Sequence, residues 1–284
     1  MRKSVIGFLI LIMFFPLVLL SEEKVVKIFP FAEDYNPERS LLQAVRTPQG
    51  YERYPIDKIT PYQAWLSNLP LKPPGSPVLS WDGDTLETPD EFCGVIDMPI
   101  TSAEITDGDI PVIFLLTFFR QTGYLDEIKL RLEGDILLTY PLWLNGTYYE
   151  DAAKPPAYVE GEPRPDSDEE FEAFMDFVKR NVDTKILRRS LAGKDARSLR
   201  PSHMFIQFRN DDPDSVGHTA VVLDVARMPG KKQKLLVAYG GFPAQSVIVP
   251  RAWANDDSMW FTVDELKEYL KEHGVGRCYR FKNE

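Results

Sequence analysis

The run Val216-Gly217-His218-Thr219-Ala220-Val221-Val222-Leu223-Asp224-Val225-Ala226 reads as a buried strand that opens on one of only three histidines in the chain. An imidazole at the start of a central strand is a candidate general acid or base, because its proton exchanges near neutral pH. Few groups could serve it as a nucleophile. Cys93, in Glu91-Phe92-Cys93-Gly94-Val95-Ile96, has an apolar, strand-like setting with no helix start to activate a thiol, and reads as core. Cys278 lies in the strand-like Cys278-Tyr279-Arg280-Phe281 and reads the same way. Asp224 shares a strand face with His218, yet at about 3.3 Å per residue the two stand roughly 20 Å apart. His203 with Asp211, Asp212 or Asp214 offers donor atoms but no recognised ligand spacing, so neither a metal nor another cofactor is expected. Tyr239-Gly240-Gly241-Phe242-Pro243-Ala244-Gln245 lacks the lysine ending and the following helix of a phosphate loop. It reads as a tight turn at a cleft rim, where Gln245 either points its amide inward or is an ordinary turn residue.

The elements that must position these groups follow from pattern. Asp109 precedes Pro111-Val112-Ile113-Phe114-Leu115-Leu116-Thr117-Phe118-Phe119-Arg120, which is apolar all round and ends near Gly123. An acidic cap followed by proline predicts a helix start, and the apolar circumference predicts a central, deeply buried helix. A displacement of two residues within Thr106-Asp107-Gly108-Asp109 would change which side chain opens it. Ser167 with Glu170 forms a capping box ahead of Phe171, Phe174, Met175 and Val178, one face of an amphipathic helix. Strands follow at Met204 to Phe208, Thr219 to Val225, Leu235 to Tyr239 and Val247 to Val249, with links short enough for an antiparallel sheet. A last helix starts at the Thr262 and Glu265 box and is expected to end at Gly274. Asp151 to Asp166 carries four prolines and reads as a surface loop. The fold class is α+β: one domain over residues 59–284, preceded by an extended lead-in at 22–58.

Gly217-His218 leading into Val221-Val222-Leu223-Asp224, then Phe242-Pro243-Ala244-Gln245, resembles the bacterial domain-of-unknown-function family numbered 4846. Trp65 with Leu69-Pro70-Leu71, Trp81-Asp82-Gly83, Trp143 with Gly146, Thr184 with Leu187, and Trp260-Phe261 extend the resemblance over most of residues 60–262. The family layout resembles papain-like cysteine hydrolases of the NlpC type, with a cysteine opening the central helix, a histidine at the strand start and a polar residue on the next strand. That order implies a thiol activated by the helix N-terminus, with the imidazole as base and a third group orienting it. Carried over, the resemblance puts Asp109 at the cysteine's position, beside His218, and Tyr239 at the third. Ser202-His203 replaces an expected glycine-aspartate pair. Asp109, His218 and Tyr239 are therefore the candidate catalytic positions, with Gly217, Gln245 and His203 as candidate ligand contacts. A carboxylate in place of a thiolate implies a pseudoenzyme that binds a peptide or cell-wall fragment. Two alternatives stay open: an active cell-wall amidase or peptidase using His218, and a purely structural envelope protein.

Arg2 and Lys3, the apolar run Val5 to Leu20 and the small Ser21 form an export signal over residues 1–21, with an uncleaved anchor at 4–20 as the rival. The expected location is periplasmic or extracellular. A net charge of -10, with no basic block, disfavours nucleic acid and anionic lipid as partners. Export would permit a disulfide between Cys93 and Cys278, although nothing local brings them together.

Overall fold

A computed structural model describes residues 29, 31–32, 35–86, 92–100, 102, 105–151, 154–158, 161–208, 217–241, 244–252, 259–271 and 275–282. The expected export segment lies outside them. Along the chain the helices are α1 (Leu41–Ala44), α2 (Pro61–Ser67), α3 (Asp109–Thr122), α4 (Tyr140–Leu144), α5 (Asp168–Asn181), α6 (Thr184–Arg189) and α7 (Val263–Tyr269). The strands are β1 (Glu52–Arg53), β2 (Phe92–Val95), β3 (Leu130–Arg131), β4 (Leu137–Leu138), β5 (Tyr148–Asp151) and β6 (Lys154–Tyr158). Then follow β7 (Leu191–Gly193), β8 (Met204–Phe208), β9 (Thr219–Arg227), β10 (Lys234–Ala238), β11 (Ile248–Pro250) and β12 (Val275–Phe281). Helices and antiparallel strands together make an α+β fold. No helix among the described residues is long and apolar enough to cross a membrane.

The central sheet is antiparallel, in the order β1-β9-β8-β12-β7, with β10 also paired to β9. Its register sorts side chains onto two faces. Met204, Ile206, Val221 and Leu223 join α3 and α5 in the larger core. Phe205, Ala220, Val222 and Val225 meet Leu266 of α7 and Leu270, its C-cap, on the other. Both faces are thus covered, which is why β8 and the first eight residues of β9 are buried throughout instead of alternating with solvent.

Several boundaries moved for local reasons. The central helix begins at Asp109, but Gly108 is its N-cap and caps nothing with a side chain. Gly123, at φ 75°, closes its other end in the left-handed region that favours glycine. The expected box at Ser167 is half formed: Ser167 accepts the Glu170 N–H, while the Glu170 carboxylate accepts Trp143 Nε1–H at 2.6 Å. The box at Thr262 is complete, yet α7 stops at Tyr269, capped at Leu270. The proline-rich stretch is not simply a loop, since β6 pairs with β5 as a ribbon outside the main sheet, where prolines remove no ladder bond from the core.

The lead-in is less extended than its composition suggested. Leu41 is fully buried, and β1 adds to β9 through Glu52↔Arg227 and Arg53↔Ala226. Arg53 anchors this segment. Its guanidinium donates to the buried Asp224 carboxylate and to the carbonyls of Val45 and Leu42, and packs over the Trp260 ring. Asp224, the residue that shares a strand face with His218, is therefore committed to a structural pair. Arg53→Ala would leave that carboxylate buried without its cation, and should cost about 3 kcal/mol of unfolding free energy in urea titration. A loss under about 1 kcal/mol would show the clamp to be incidental.

Candidate functional site

The chain just before α3 folds back on itself. Asp109 Oδ2 accepts the Thr106 N–H at 2.6 Å and the Thr106 hydroxyl at 2.8 Å, while the Asp109 N–H donates to the Thr106 carbonyl at 3.1 Å. This closed turn occupies Asp109 and presents Asp107 instead. Asp107 Oδ2 accepts the Nδ1–H of His218. The carboxylate that meets the imidazole is thus two residues before the one that resemblance selected. The reason is that Asp109 points back along its own turn.

His218 is held from both flanking peptide groups. Its carbonyl accepts the Gln207 N–H at 2.9 Å, and the Gly217 carbonyl accepts the hydroxyl of Thr184, the first residue of α6, at 3.1 Å. Gly217 is sterically required, because a Cβ there would lie 1.5 Å from the Gln207 carbonyl oxygen. Gly108 is similar: a Cβ would lie 2.7 Å from Thr184 Oγ1. Two glycines therefore let the starts of α3, α6 and β9 converge.

The turn after β10 completes the site. A Cβ on Gly240 would stand 3.3 Å from Ile110 Cγ1 and 3.5 Å from Asp107 Oδ1, so the bare backbone comes close to the carboxylate. Asp107 Oδ1 is buried and has no hydrogen-bond partner among the described residues. Gln245 folds its amide back over Gly241, where a Cβ would lie 2.4 Å from Gln245 Cδ. The rim-forming turn thus does lie beside the pair. Its Phe242 and Pro243 fall outside the described residues.

Other candidates sit elsewhere. The Tyr239 hydroxyl bonds that of Tyr269 on α7 at 2.9 Å, and the polar group against His218 Nδ1 is Asp107. His203 backs onto Val222, four residues along β9 from His218, or about 13 Å of strand. Its Nδ1 accepts the Arg200 N–H at 3.1 Å. Ser202, just before it, holds φ 76°, a left-handed conformation natural to the glycine that resemblance expected there. Asp211, Asp212 and Asp214 lie outside the described residues, among which no cluster of His, Cys, Asp and Glu could hold a metal. Cys278 is a free buried thiol, pushed up to about 11 by burial, and Cys93 lies within β2, not at a helix start. Sequence reasoning missed Asp107, Thr184 as a positioning residue and Gly240. The available signal was the tetrad Thr106-Asp107-Gly108-Asp109, whose ambiguity of two residues decides the pairing.

Chemically, a carboxylate on Nδ1 fixes the ring's orientation, leaving the imidazole as the half of the pair that reaches solvent. The His218 side chain is 38% exposed and that of Asp107 only 4%. Such a pair can bind an anion or hydrogen-bond acceptor, or move a proton, without a covalent intermediate.

Residues 41–282 match the family described as domain of unknown function (4846). The chain belongs to that family. No curated protein and no solved structure matches it.

Two buried groups near the sheet titrate in opposition. Burial pushes Asp109 up from 3.8 to about 7 despite its bonds to Thr106. Burial, aided by Lys194, Arg200 and Arg280, lowers His203 from 6.5 to about 4. Asp109 binds its proton more tightly when folded, so its stabilising contribution is full below about pH 4 and is lost as pH rises through about 7. His203 contributes above pH 6.5 and loses that contribution as pH falls through about 4. Each effect is on the order of 3 to 4 kcal/mol, and over most of this window they offset. Relative to wild type, Asp109→Asn should lose stability on acidification from pH 7 to pH 4, and His203→Gln should gain it. Urea titrations across that interval check this, and parallel profiles for all three proteins would contradict it.

Proposed function

We propose that this protein is an exported cell-envelope domain of papain-like, NlpC-type arrangement in which an aspartate has replaced the nucleophile, so that it binds a peptide or cell-wall fragment without cleaving it. The observation that carries the reading is the contact of Asp107 with His218 Nδ1, made where the start of the buried helix meets the start of the central strand. In a papain-like layout those are the places of nucleophile and base. A carboxylate makes a poor acyl-transfer nucleophile toward an amide, because it leaves the tetrahedral intermediate more readily than the amine does and the attack reverses. What remains is the junction of the α3 start, Gly217 and Gly240, with a partly exposed imidazole oriented by Asp107. Such a group suits the carboxylates and carbonyls of a peptide stem.

The same pair favours one rival. An imidazole oriented by a buried carboxylate can also act as a general base on water, which would make the domain a hydrolase. Incubating residues 22–284 with purified cell-wall material separates the two, with pelleted protein and released fragments, the latter by mass spectrometry, as readouts. The expected result is retention without fragments, weakened about 10-fold or more in His218→Ala, as loss of a charge-assisted hydrogen bond implies. Fragments that disappear in His218→Ala would establish a hydrolase, and retention unaffected by the substitution would remove the junction as the site.

A further inference from the structure

Trp65, Trp143 and Trp260 are buried, and their indole N–H groups donate to the Gln121 side chain at 2.9 Å, the Glu170 carboxylate at 2.6 Å and the Arg46 carbonyl at 2.8 Å. Trp81 is the exception. It is 45% exposed, and its ring and indole N–H have no partner among the described residues. The backbone beneath it is nevertheless fixed. In a tight hairpin at residues 78–86, the Ser80 N–H donates to the Asp84 carbonyl at 2.9 Å, the Gly83 N–H to the Ser80 carbonyl at 3.0 Å and the Leu86 N–H to the Val78 carbonyl at 3.0 Å. Gly83, at φ 92°, supplies the left-handed position that closes the turn. The Trp81 N–H points outward and donates to the Ala244 carbonyl at 3.0 Å, while Ser80 bridges to Gln245. The stretch that brings Gly240 near Asp107 therefore also holds the base of Trp81.

The surroundings of the ring are polar. Asp82, Asp84 and Thr85 are exposed as well, and neither aspartate is in an ion pair among the described residues. The Ser80 hydroxyl donates to Asp82 Oδ1 at 2.5 Å, which holds that carboxyl below the usual carboxylate range and keeps it a hydrogen-bond acceptor at neutral pH.

We propose that Trp81 and Asp82 form a saccharide-binding subsite. A sugar ring offers a face of C–H groups to stack on the indole and a rim of hydroxyls to donate to the carboxylate, and the indole N–H is available to donate in return. Other occupants fit less well. A nucleic-acid base would stack but would bring its phosphate against Asp82 and Asp84, and an anionic lipid surface is repelled in the same way. A protein partner of ordinary size needs an apolar centre, whereas Trp81 stands among polar residues. An organic cation would suit the carboxylates but meets one ring, not an aromatic cage. The assignment rests on the cell-wall reading for the source of the sugar, and on residues other than His218 for its recognition.

The test titrates the full chain by calorimetry with two β-1,4-linked tetramers, one of N-acetylglucosamine and one of glucose. Saturable binding of at least one is expected, weakened about 10-fold or more in Trp81→Ala, within about threefold of wild type in Trp81→Phe, which keeps a stacking ring, and within about twofold in Tyr124→Ala, which removes an exposed ring elsewhere. Tighter binding of the N-acetylated tetramer would support the subsite with an acetamido group in contact, and equal affinity would support it with the ring alone recognised. Binding of neither tetramer, or equal weakening by Trp81→Ala and Tyr124→Ala, would overturn the proposal. So would Trp81-dependent binding of a lysine pentapeptide that is tighter than that of either tetramer. Trp81-dependent tetramer binding, together with cell-wall retention indifferent to His218→Ala, would support the subsite and remove only the junction.

Discussion

The contact between Asp107 and His218 is the constraint on which the arrangement around it depends. It joins a residue two positions before a buried helix to the residue before a buried strand, two places far apart in sequence and each fixed by its own backbone bonds. Thr106 and Asp109 close the turn that aims Asp107. Thr184 and Gln207 hold the peptide groups on either side of the imidazole. Gly108, Gly217 and Gly240 supply the clearance, since each sits where a side chain would strike or press on a neighbour. The pair also explains why so polar a junction is tolerated in the core. The carboxylate is almost wholly desolvated, which would be costly for a lone charge, and the imidazole N–H compensates one of its oxygens.

The layers behind the pair keep it in place. The β9 strand is buried on both faces, with α3 against one and α7 against the other, so neither end of the contact can shift without disturbing a packed layer. At the far end of β9, Arg53 and Asp224 tie the first segments of the chain to the same strand. One long strand therefore carries a chemically open pair at its start and a structural ion pair near its end. The even spacing of His218 and Asp224, which in sequence looks like an acid and a base on one face, reflects these two separate duties.

Much of this was legible in the sequence. The all-round apolarity of residues 110–119 signalled the central helix, the closely spaced apolar runs signalled β8, β9 and β10, and the two capping patterns marked the starts of α5 and α7. The glycines of residues 239–245 signalled a turn, and Gly240 lies close to Asp107. What escaped was governed by contacts without a local signature. Asp109 looked like the cap because acid followed by proline is the stronger motif, whereas the structure uses that side chain to lock Thr106 and leaves Asp107 to reach across. Residues 22–58 looked extended because α1 and β1 are too short to show periodicity, and their order comes from Arg53 and the buried Leu41. The ribbon of β5 and β6 was hidden by prolines, which weaken a strand pattern but are compatible with a two-stranded edge.

The most direct test of the central claim is the ultraviolet thiolate absorbance of Asp107→Cys as a function of pH, with the wild-type profile subtracted to remove Cys93 and Cys278. If the structure holds a nucleophile position against a base, the introduced thiol should ionise well below its ordinary value of about 8.5, and adding His218→Ala should return it to that value or above. A thiol that titrates at or above about 8.5 in Asp107→Cys, or one indifferent to His218, would contradict the account.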